Sequence, residues 1–441
     1  MRHTFFGGVC PAPHKETTRR KAITELSAPR RVTLPLRASA DGPCKPLVKP
    51  GQQVYLGQPV ACSVGSQIPL HASVSGRVVD INGCPHPWGG EFPAIILEND
   101  GRDTPWPQGL PPLKADEIQA SVLLDRVREA GIVGMGGGAF PTVDKLAQAV
   151  GRTTFLIINA AECEPYVSAD HRLLLEHCDQ ILISARVMAR CLRIPRVVLV
   201  TEGDKLNAAE QLERRIRKHR DKVELYTLRT RYPLGAEKQI VQTVTGQELP
   251  QGHTAQDAGC LVLNLATVYA IYEALFLGRP LTHRAVTVTG GGVLRPKNLW
   301  VPIGTPLRHL LEEAEGLREG CTQLLTGGVM MGKGVSDLDA PVLKDTNSLI
   351  ALGDDERKDA SAPETTCIRC GKCVAACPMH LAPTFVNKAI KTRDEAWLKK
   401  LHPQDCISCG CCSFVCPSNI HLTWLMEDAK KIMEEEGGHI K

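Results

Sequence analysis

The sequence predicts a multidomain α/β protein. It should comprise an N-terminal β barrel-sandwich, a central Rossmann-like domain, a β-grasp module and a helical C-terminal domain. Three observations carry that expectation. At 441 residues the chain exceeds what one hydrophobic core organises, so roughly two to four domains are expected. Its apolar period changes from short punctuated β segments to strands alternating with helices. Near the end, "CIRCGKCVAACP" (367–378) and "CISCGCCSFVCP" (406–417) repeat one cysteine spacing.

Composition excludes several classes. Hydrophobic residues make up 43% and charged residues 23%, as in ordinary globular proteins. The net charge of +4 is scattered, which gives no nucleic-acid footprint. No apolar run approaches the roughly 18 residues of a membrane span. The opening "MRHTFFGGVCPAPHK" lacks the apolar core of a signal peptide. The chain is therefore expected to stay in the cytoplasm and to meet a membrane only through partners. In that reducing compartment its 18 cysteines are thiols or metal ligands. Eight lie in the two motifs; the other ten, Cys411 among them, are expected to be small buried hydrophobes.

Taken in order, residues 1–30 are basic, proline-bearing and aperiodic, and read as an extended arm that docks onto partners. Residues 31–101 carry β segments punctuated by Pro and Gly, as in a barrel or sandwich. "KPGQQVYLGQPVA" followed by "HASVSGRVVDI" resembles the lipoyl-type barrel-sandwich. The intervening "SVGSQIPLHA" has no lysine to carry a prosthetic group, so this domain reads as structural. A Pro-rich linker leads into residues 117–283, where "ADEIQASVLLDRVREAG" opens a series of helices alternating with "TTFLIINA", "RVVLVTEG", "KVELYTLRTRYP" and "CLVLNL". That alternation predicts a parallel sheet, with ligands beyond the carboxyl ends of its strands. "ADHRLLLEHCDQILISARVMARCL" reads as one helix. Residues 284–352 run strand, strand, helix, strand, as in a β-grasp (SLBB-like) module. The polar "DDERKDASAPE" then leads to the cysteine domain, 363–441, whose inter-motif segment has helical periodicity.

Each cysteine motif reads C-x2-C-x2-C-x3-C-P. Three cysteines at that spacing wrap one [4Fe–4S] cubane and the fourth reaches the other. One cluster then takes Cys367, Cys370, Cys373 and Cys416; the second takes Cys377, Cys406, Cys409 and Cys412. Zinc sites favour separated pairs of ligands instead. "GIVGMGGGAFPT" (131–142) lies between helices and follows no strand, so it is no ordinary dinucleotide fingerprint. Glycines beside a helix N-terminus let backbone N–H groups approach a phosphate or flat ring, although flexible linkers look similar. In "NAAECEP", Asn159, Glu162 and Glu164 cluster at a βα turn, where they bind a ligand or cap the next helix.

"GMGGGAFPTVDKL", "NAAECEPYVSADHRLL", "YPLGAEKQ" and the twin cysteine motifs together resemble the C subunit of the Rnf complex, the ion-translocating ferredoxin:NAD+ oxidoreductase. "FFGGVCPAPHKETT" resembles that subunit's opening arm, so the likeness spans the chain. The central domain is similar to the flavin-bearing subunit of respiratory complex I. The resemblance implies non-covalent FMN at Gly134, Gly136, Gly137 and Gly138, with Lys145 behind the loop. It also implies Asn159, Glu162, Asn264 and Thr267 around the flavin, Phe140 and Glu164 near NAD(H), and Lys238 as a phosphate or ring contact. Two positions depart from the complex I pattern, Ala161 and Ala236, where acids are replaced.

A flavin converts hydride traffic into single-electron traffic, so no acid–base pair is required and no catalytic residue is expected. The implied role is a peripheral subunit on the cytoplasmic face of the bacterial plasma membrane. Its expected partners are the membrane and iron–sulfur subunits of the same complex, with ferredoxin reached indirectly. A soluble flavin/iron–sulfur reductase of the corrinoid-reductase type and a non-enzymatic electron-wire scaffold are the alternatives. A yellow, flavin-absorbing protein excludes the scaffold.

Overall fold

A computed structural model describes residues 4–38, 42–87, 89–219, 222–321, 323–356 and 363–434. Most of the polar linker and the tail from residue 435 lie outside the described residues. Two four-stranded sheets form the N-terminal barrel-sandwich. One orders the strands Arg31–Pro35, Glu91–Asn99, Gly76–Pro85 and Gln53–Val54; the other contains Gly42–Pro46, Pro59–Ser63 and Pro69–His71. Alternate residues such as Val32, Leu34, Ile95 and Leu97 turn inward and are fully buried, as the period-2 pattern requires.

The central sheet is parallel throughout, in the order Val223–Leu228, Arg196–Glu202, Phe155–Ala160, Cys260–Asn264. Its strands are buried on both faces. Leu156, Ile158, Leu199, Leu261 and Leu263 pack on one side against helices α1 (Ala120–Glu129), α2 (Thr142–Ala149), α4 (Cys178–Leu192) and α7 (Leu265–Phe276). Ile157, Val198, Val200 and Val262 pack on the other against α6 (Glu237–Thr245). Helices α3 (Ala169–Glu176) and α5 (Leu206–His219) complete the layers. The segment expected to be one helix is thus two, α3 and α4. The break falls at His177, whose ring lies 4.4 Å from that of Tyr269. That long-range contact leaves no trace in local periodicity.

The β-grasp module corrects the reading of the arm. Its sheet runs Ile23–Glu25, Lys297–Pro302, His283–Thr289, Ser348–Leu352, Gln323–Thr326, Lys333–Gly334, with the helix Leu307–Glu313 packed on it. The first strand belongs to the arm and pairs in parallel, Ile23 opposite Asn298 and Glu25 opposite Trp300. Further back, Phe5, Val9, Lys15 and Thr18 are buried. The Gly8 N–H donates to the Ala376 carbonyl at 2.8 Å, and Val9 exchanges backbone hydrogen bonds with Tyr232. The arm is therefore seated on its own chain along much of its length. Having no core of its own, it uses the surfaces of three other domains.

In the C-terminal domain the inter-motif segment is helical, as its periodicity predicts, and forms two helices, Pro383–Thr392 and Glu395–Lys400. Arg393 in the left-handed region ends the first, and the Asp394 side chain caps the second by accepting from Trp397 N–H at 2.9 Å. The helix Leu422–Glu434 closes the domain, burying Met426 and Ala429.

Candidate functional site

The strand order reverses at Phe155–Ala160. The chain leaves it in one direction for Arg196–Glu202 and Val223–Leu228, and returns to its other side with Cys260–Asn264. Such a switch point opens a crevice beyond the carboxyl ends of the two central strands. Asn159 and Asn264 end those strands and lie opposite each other in register.

The glycine loop sits over this crevice. The Met135 N–H donates to Thr267 Oγ1 at 3.0 Å, which ties the loop to α7. Asn264 Oδ1 caps α7 by accepting from Ala266 N–H at 2.9 Å, while its Nδ2 donates to Asp170 Oδ2 at 2.7 Å. A Cβ on Gly136 would stand 3.3 Å from that of Asn264, so only glycine brings the loop this close without pushing. A Cβ on Gly137 or Gly138 would meet nothing within 4 Å. These two glycines are exposed and border open space, which leaves room for a flat ring or a phosphate. Gly134 closes the loop by accepting from Ala139 N–H and donating to the Phe140 carbonyl. Phe140 itself is 42% exposed at the loop's end.

On the opposite wall, Asn159 Nδ2 donates to the Gly235 carbonyl at 2.9 Å, and its Oδ1 accepts from Ala161 N–H. Glu162 is a helix cap: its carboxylate accepts from Asp170 and His171 N–H at 2.7 and 3.2 Å. Glu164 turns away to the β-grasp module, accepting from Met330 and Met331 N–H at 3.1 and 2.9 Å. Burial pushes Glu162 up to about 8 and Glu164 up to about 7. Lys145 pairs with Glu237 at 2.5 Å. Lys238 does not join the group: its amine faces the Pro250 carbonyl at 3.4 Å and Asp405 at 3.9 Å, on the cysteine-domain side of α6. Its place one residue after Glu237 turns it to a different helix face.

The cysteines gather around two small cavities. Cys367, Cys370, Cys373 and Cys416 line one, with Ile420 and Leu422. Cys377, Cys406, Cys409 and Cys412 line the other, with Cys411 and Met426. Four thiols around an apolar hollow is the donor set that an iron–sulfur cluster takes. Among the described residues no three His, Cys, Asp or Glu side chains are grouped for a single metal ion. The second cavity adjoins the nucleotide domain. Tyr232 is buried and its hydroxyl donates to the Cys409 carbonyl at 2.7 Å. Val9, Tyr232, Ala376, Cys409 and Cys411 form one apolar cluster against which Cys163 and Met330 pack.

Sequence reasoning missed Lys15 and Lys205. Lys15 Nζ donates to the Glu162 carbonyl at 2.5 Å, and Lys205 Nζ to the Ala161 carbonyl at 2.6 Å. Burial and the neighbouring Lys205 charge pull Lys15 down. Burial acts on Lys205 in the same way, but Glu202 and Asp204 outweigh it and hold Lys205 charged. The signal for Lys205 was "EGDK" (202–205) at a strand's carboxyl end, and for Lys15 its place in "FFGGVCPAPHKETT".

Four family domains match the chain in order: the RnfC barrel sandwich hybrid domain over 3–102, the Nuo51 FMN-binding domain over 127–273, the SLBB domain over 285–333 and a 4Fe-4S dicluster domain over 366–420. Fold and site together define a flavin- and iron–sulfur-dependent electron-transfer protein. Its relatives narrow this. The chain is 38% identical to the C subunit of a Clostridium ljungdahlii proton-translocating ferredoxin:NAD(+) oxidoreductase complex, over 88% of this chain and 84% of that one. It is 35% identical to the C subunit of the Na(+)-translocating counterpart in Acetobacterium woodii, over 90% and 89%. The C subunit of a Rhodobacter capsulatus ion-translocating oxidoreductase complex is 38% identical, over 88% and 75%. The chain belongs to the C-subunit family of the Rnf complexes, and it is an electron-transfer subunit of an ion-translocating ferredoxin:NAD+ oxidoreductase. An NAD+-reducing [NiFe]-hydrogenase in the H2-reduced state shares the fold, with TM-score 0.52 at 17% identity, over 74% of this chain and 62% of that one.

Proposed function

We propose that this subunit is where the complex exchanges hydride with NAD(H), with FMN in the switch-point crevice and two [4Fe–4S] clusters in the cysteine cavities. The observation that carries this reading is the apolar seam of Cys163, Tyr232, Cys409 and Cys411: Cys163 Sγ accepts from Gly235 N–H at 3.4 Å on the crevice wall, and Cys409 and Cys411 line the second cavity. When bound, FMN accepts hydride as an electron pair and the clusters carry electrons singly. The chain's own contribution is positional. Gly137 and Gly138 leave room for a ring, Thr267 and Asn264 fix the loop that borders it, and Glu164 holds the 330–331 backbone in place. Cys377, Cys406, Cys409 and Cys412 hold the cluster nearer the flavin. Cys367, Cys370, Cys373 and Cys416 hold the one facing outward.

The proposed seat is the cytoplasmic face of the plasma membrane, beside the membrane and iron–sulfur subunits through which ferredoxin is reached. Among the described residues no helix is long and apolar enough to cross a membrane. Relatives named for protons and for Na+ stand at 38% and 35% identity, so the same subunit chemistry serves either coupling ion. Anaerobically reconstituted protein is expected to carry FMN and about eight irons. NADH should bleach the flavin and then the cluster absorbance. Protein with full iron that takes up no flavin, or whose flavin NADH does not reduce, overturns the reading.

A further inference from the structure

The turn that carries Glu162 and Glu164 is held largely from outside its own domain. It places two non-glycine residues in the left-handed region, Glu162 at φ 47° and Tyr166 at φ 68°. Such conformations persist only where neighbours over-determine them. Here the neighbours are three consecutive residues of the N-terminal arm. The Pro13 carbonyl accepts from Tyr166 N–H at 2.8 Å, and the His14 ring stacks on Tyr166 at 4.8 Å. Lys15 Nζ donates to the Glu162 carbonyl, 147 residues on in sequence. From behind, Lys205 grips the Ala161 carbonyl, itself held by Glu202 at 3.1 Å and Asp204 at 2.9 Å. Asp204 also stands 4.0 Å from Lys15. The two lysines are 4% and 1% exposed. A lysine on a surface arm ordinarily lets its amine reach water, so burying it to the tip needs a specific acceptor.

We propose that Pro13–Lys15 is a built-in wall of the flavin site. Lys15 is the positioning residue that, with Lys205, fixes the backbone from which Asn159, Glu162 and Glu164 project. The proposal rests on the flavin reading above, and its test separates the two. Flavin-stripped, full-length protein with its clusters in place is titrated with FMN. Lys15→Met is expected to weaken binding about 10- to 100-fold, as for a buried carbonyl that loses a strong donor. It should also shift the visible circular dichroism of the flavin that remains bound. Lys21→Met is the control: it removes the exposed contact, 2.8 Å to the Pro296 carbonyl, that pins the same arm to the β-grasp module. It should change neither readout, and cluster absorbance should be equal in all three proteins.

Lys15→Met binding FMN within about threefold of the unaltered chain, or equal losses in both variants, overturns the proposal. If Lys15→Met does not accumulate, Asp204→Asn is titrated instead. Weaker FMN binding is then expected, and unchanged binding overturns the proposal. Failure of the flavin reading itself would appear earlier, as unaltered protein that binds no FMN.

Discussion

The two cysteine quartets share one spacing and differ in almost everything around it. The second is sealed in: Cys377, Cys409 and Cys412 are 9% exposed or less, and Tyr232 closes it from the nucleotide domain. Gly7 of the arm lies so close to Cys377 that any side chain there would strike its carbonyl. The first is open: Cys370 is exposed, and Ile368 beside it is 67% exposed. Identical ligand spacing therefore sets what kind of group is held, while the surroundings set who can exchange electrons with it. Burial and hydrogen bonding to the sulfurs also tune potential, so twin motifs need not be redox twins.

The largest expected effect tests whether ligation crosses between the motifs. Cys377→Ser sits in the first motif but should abolish the sealed cluster, and with it reduction of either centre by NADH; dithionite should still reduce the open one. Cys373→Ser should lose the open cluster and keep NADH reduction of the sealed one. Electron paramagnetic resonance showing the same cluster lost from both variants would break the distinction between the pockets.

On the proposed electron path, a second substitution should cut both clusters off at the source. Gly138 has no left-handed backbone, and a Cβ there meets nothing within 4 Å. Gly138→Val should therefore leave melting temperature and iron content unchanged while FMN and NADH oxidation are lost. Gly137 is the poorer choice, because its φ of 104° adds roughly 1–3 kcal/mol of strain to any replacement. Flavin content and melting temperature measured on one Gly138→Val sample decide the matter; retained FMN would remove the loop from the flavin site.

The smallest effect sharpens the contrast. Tyr232→Phe deletes a single hydroxyl and leaves the Cys409 carbonyl buried without its donor, at a cost of about 1–3 kcal/mol. Hydrogen exchange should rise around Cys409 and Cys411 and stay unchanged around Cys367 and Cys370. A uniform rise would mean that the two pockets open as one unit.

What was legible in the sequence was what is local. Cysteine spacing, the glycine run and the alternation of strands with helices each lie within a few dozen residues, and the family domains follow them. The misreadings share the opposite property. The break at His177 depends on Tyr269, and the direction of Lys238 on Asp405, neither of which periodicity registers. The arm was read from composition as unable to bury a core. That is correct for the arm alone, yet Ile23–Glu25 is too short a strand to announce itself, and its partner at 298–300 lies across the chain. Of the candidate site, Asn159, Asn264, Thr267 and the glycines converge in space. Lys15 and Lys205, which hold the adjoining turn, lie in "FFGGVCPAPHKETT" and "EGDK", but nothing local shows that either amine reaches the turn.

The arm also imposes an order on assembly. Gly7 and Gly8 are made long before the cysteine domain, yet the Gly8 N–H bonds to Ala376 and Gly7 lies against Cys377. The arm is thus late to find its place, since this hydrogen bond waits on a domain made after it. Loop-closure entropy makes so distant a contact slow to form, and nothing local hastens it. Until that contact forms the sealed cysteine pocket lacks its Gly7 cover, so cluster insertion is expected to precede the seating of the arm. On the proposed electron path the arm then acts as a latch, closed over a pocket built from residues far along the chain.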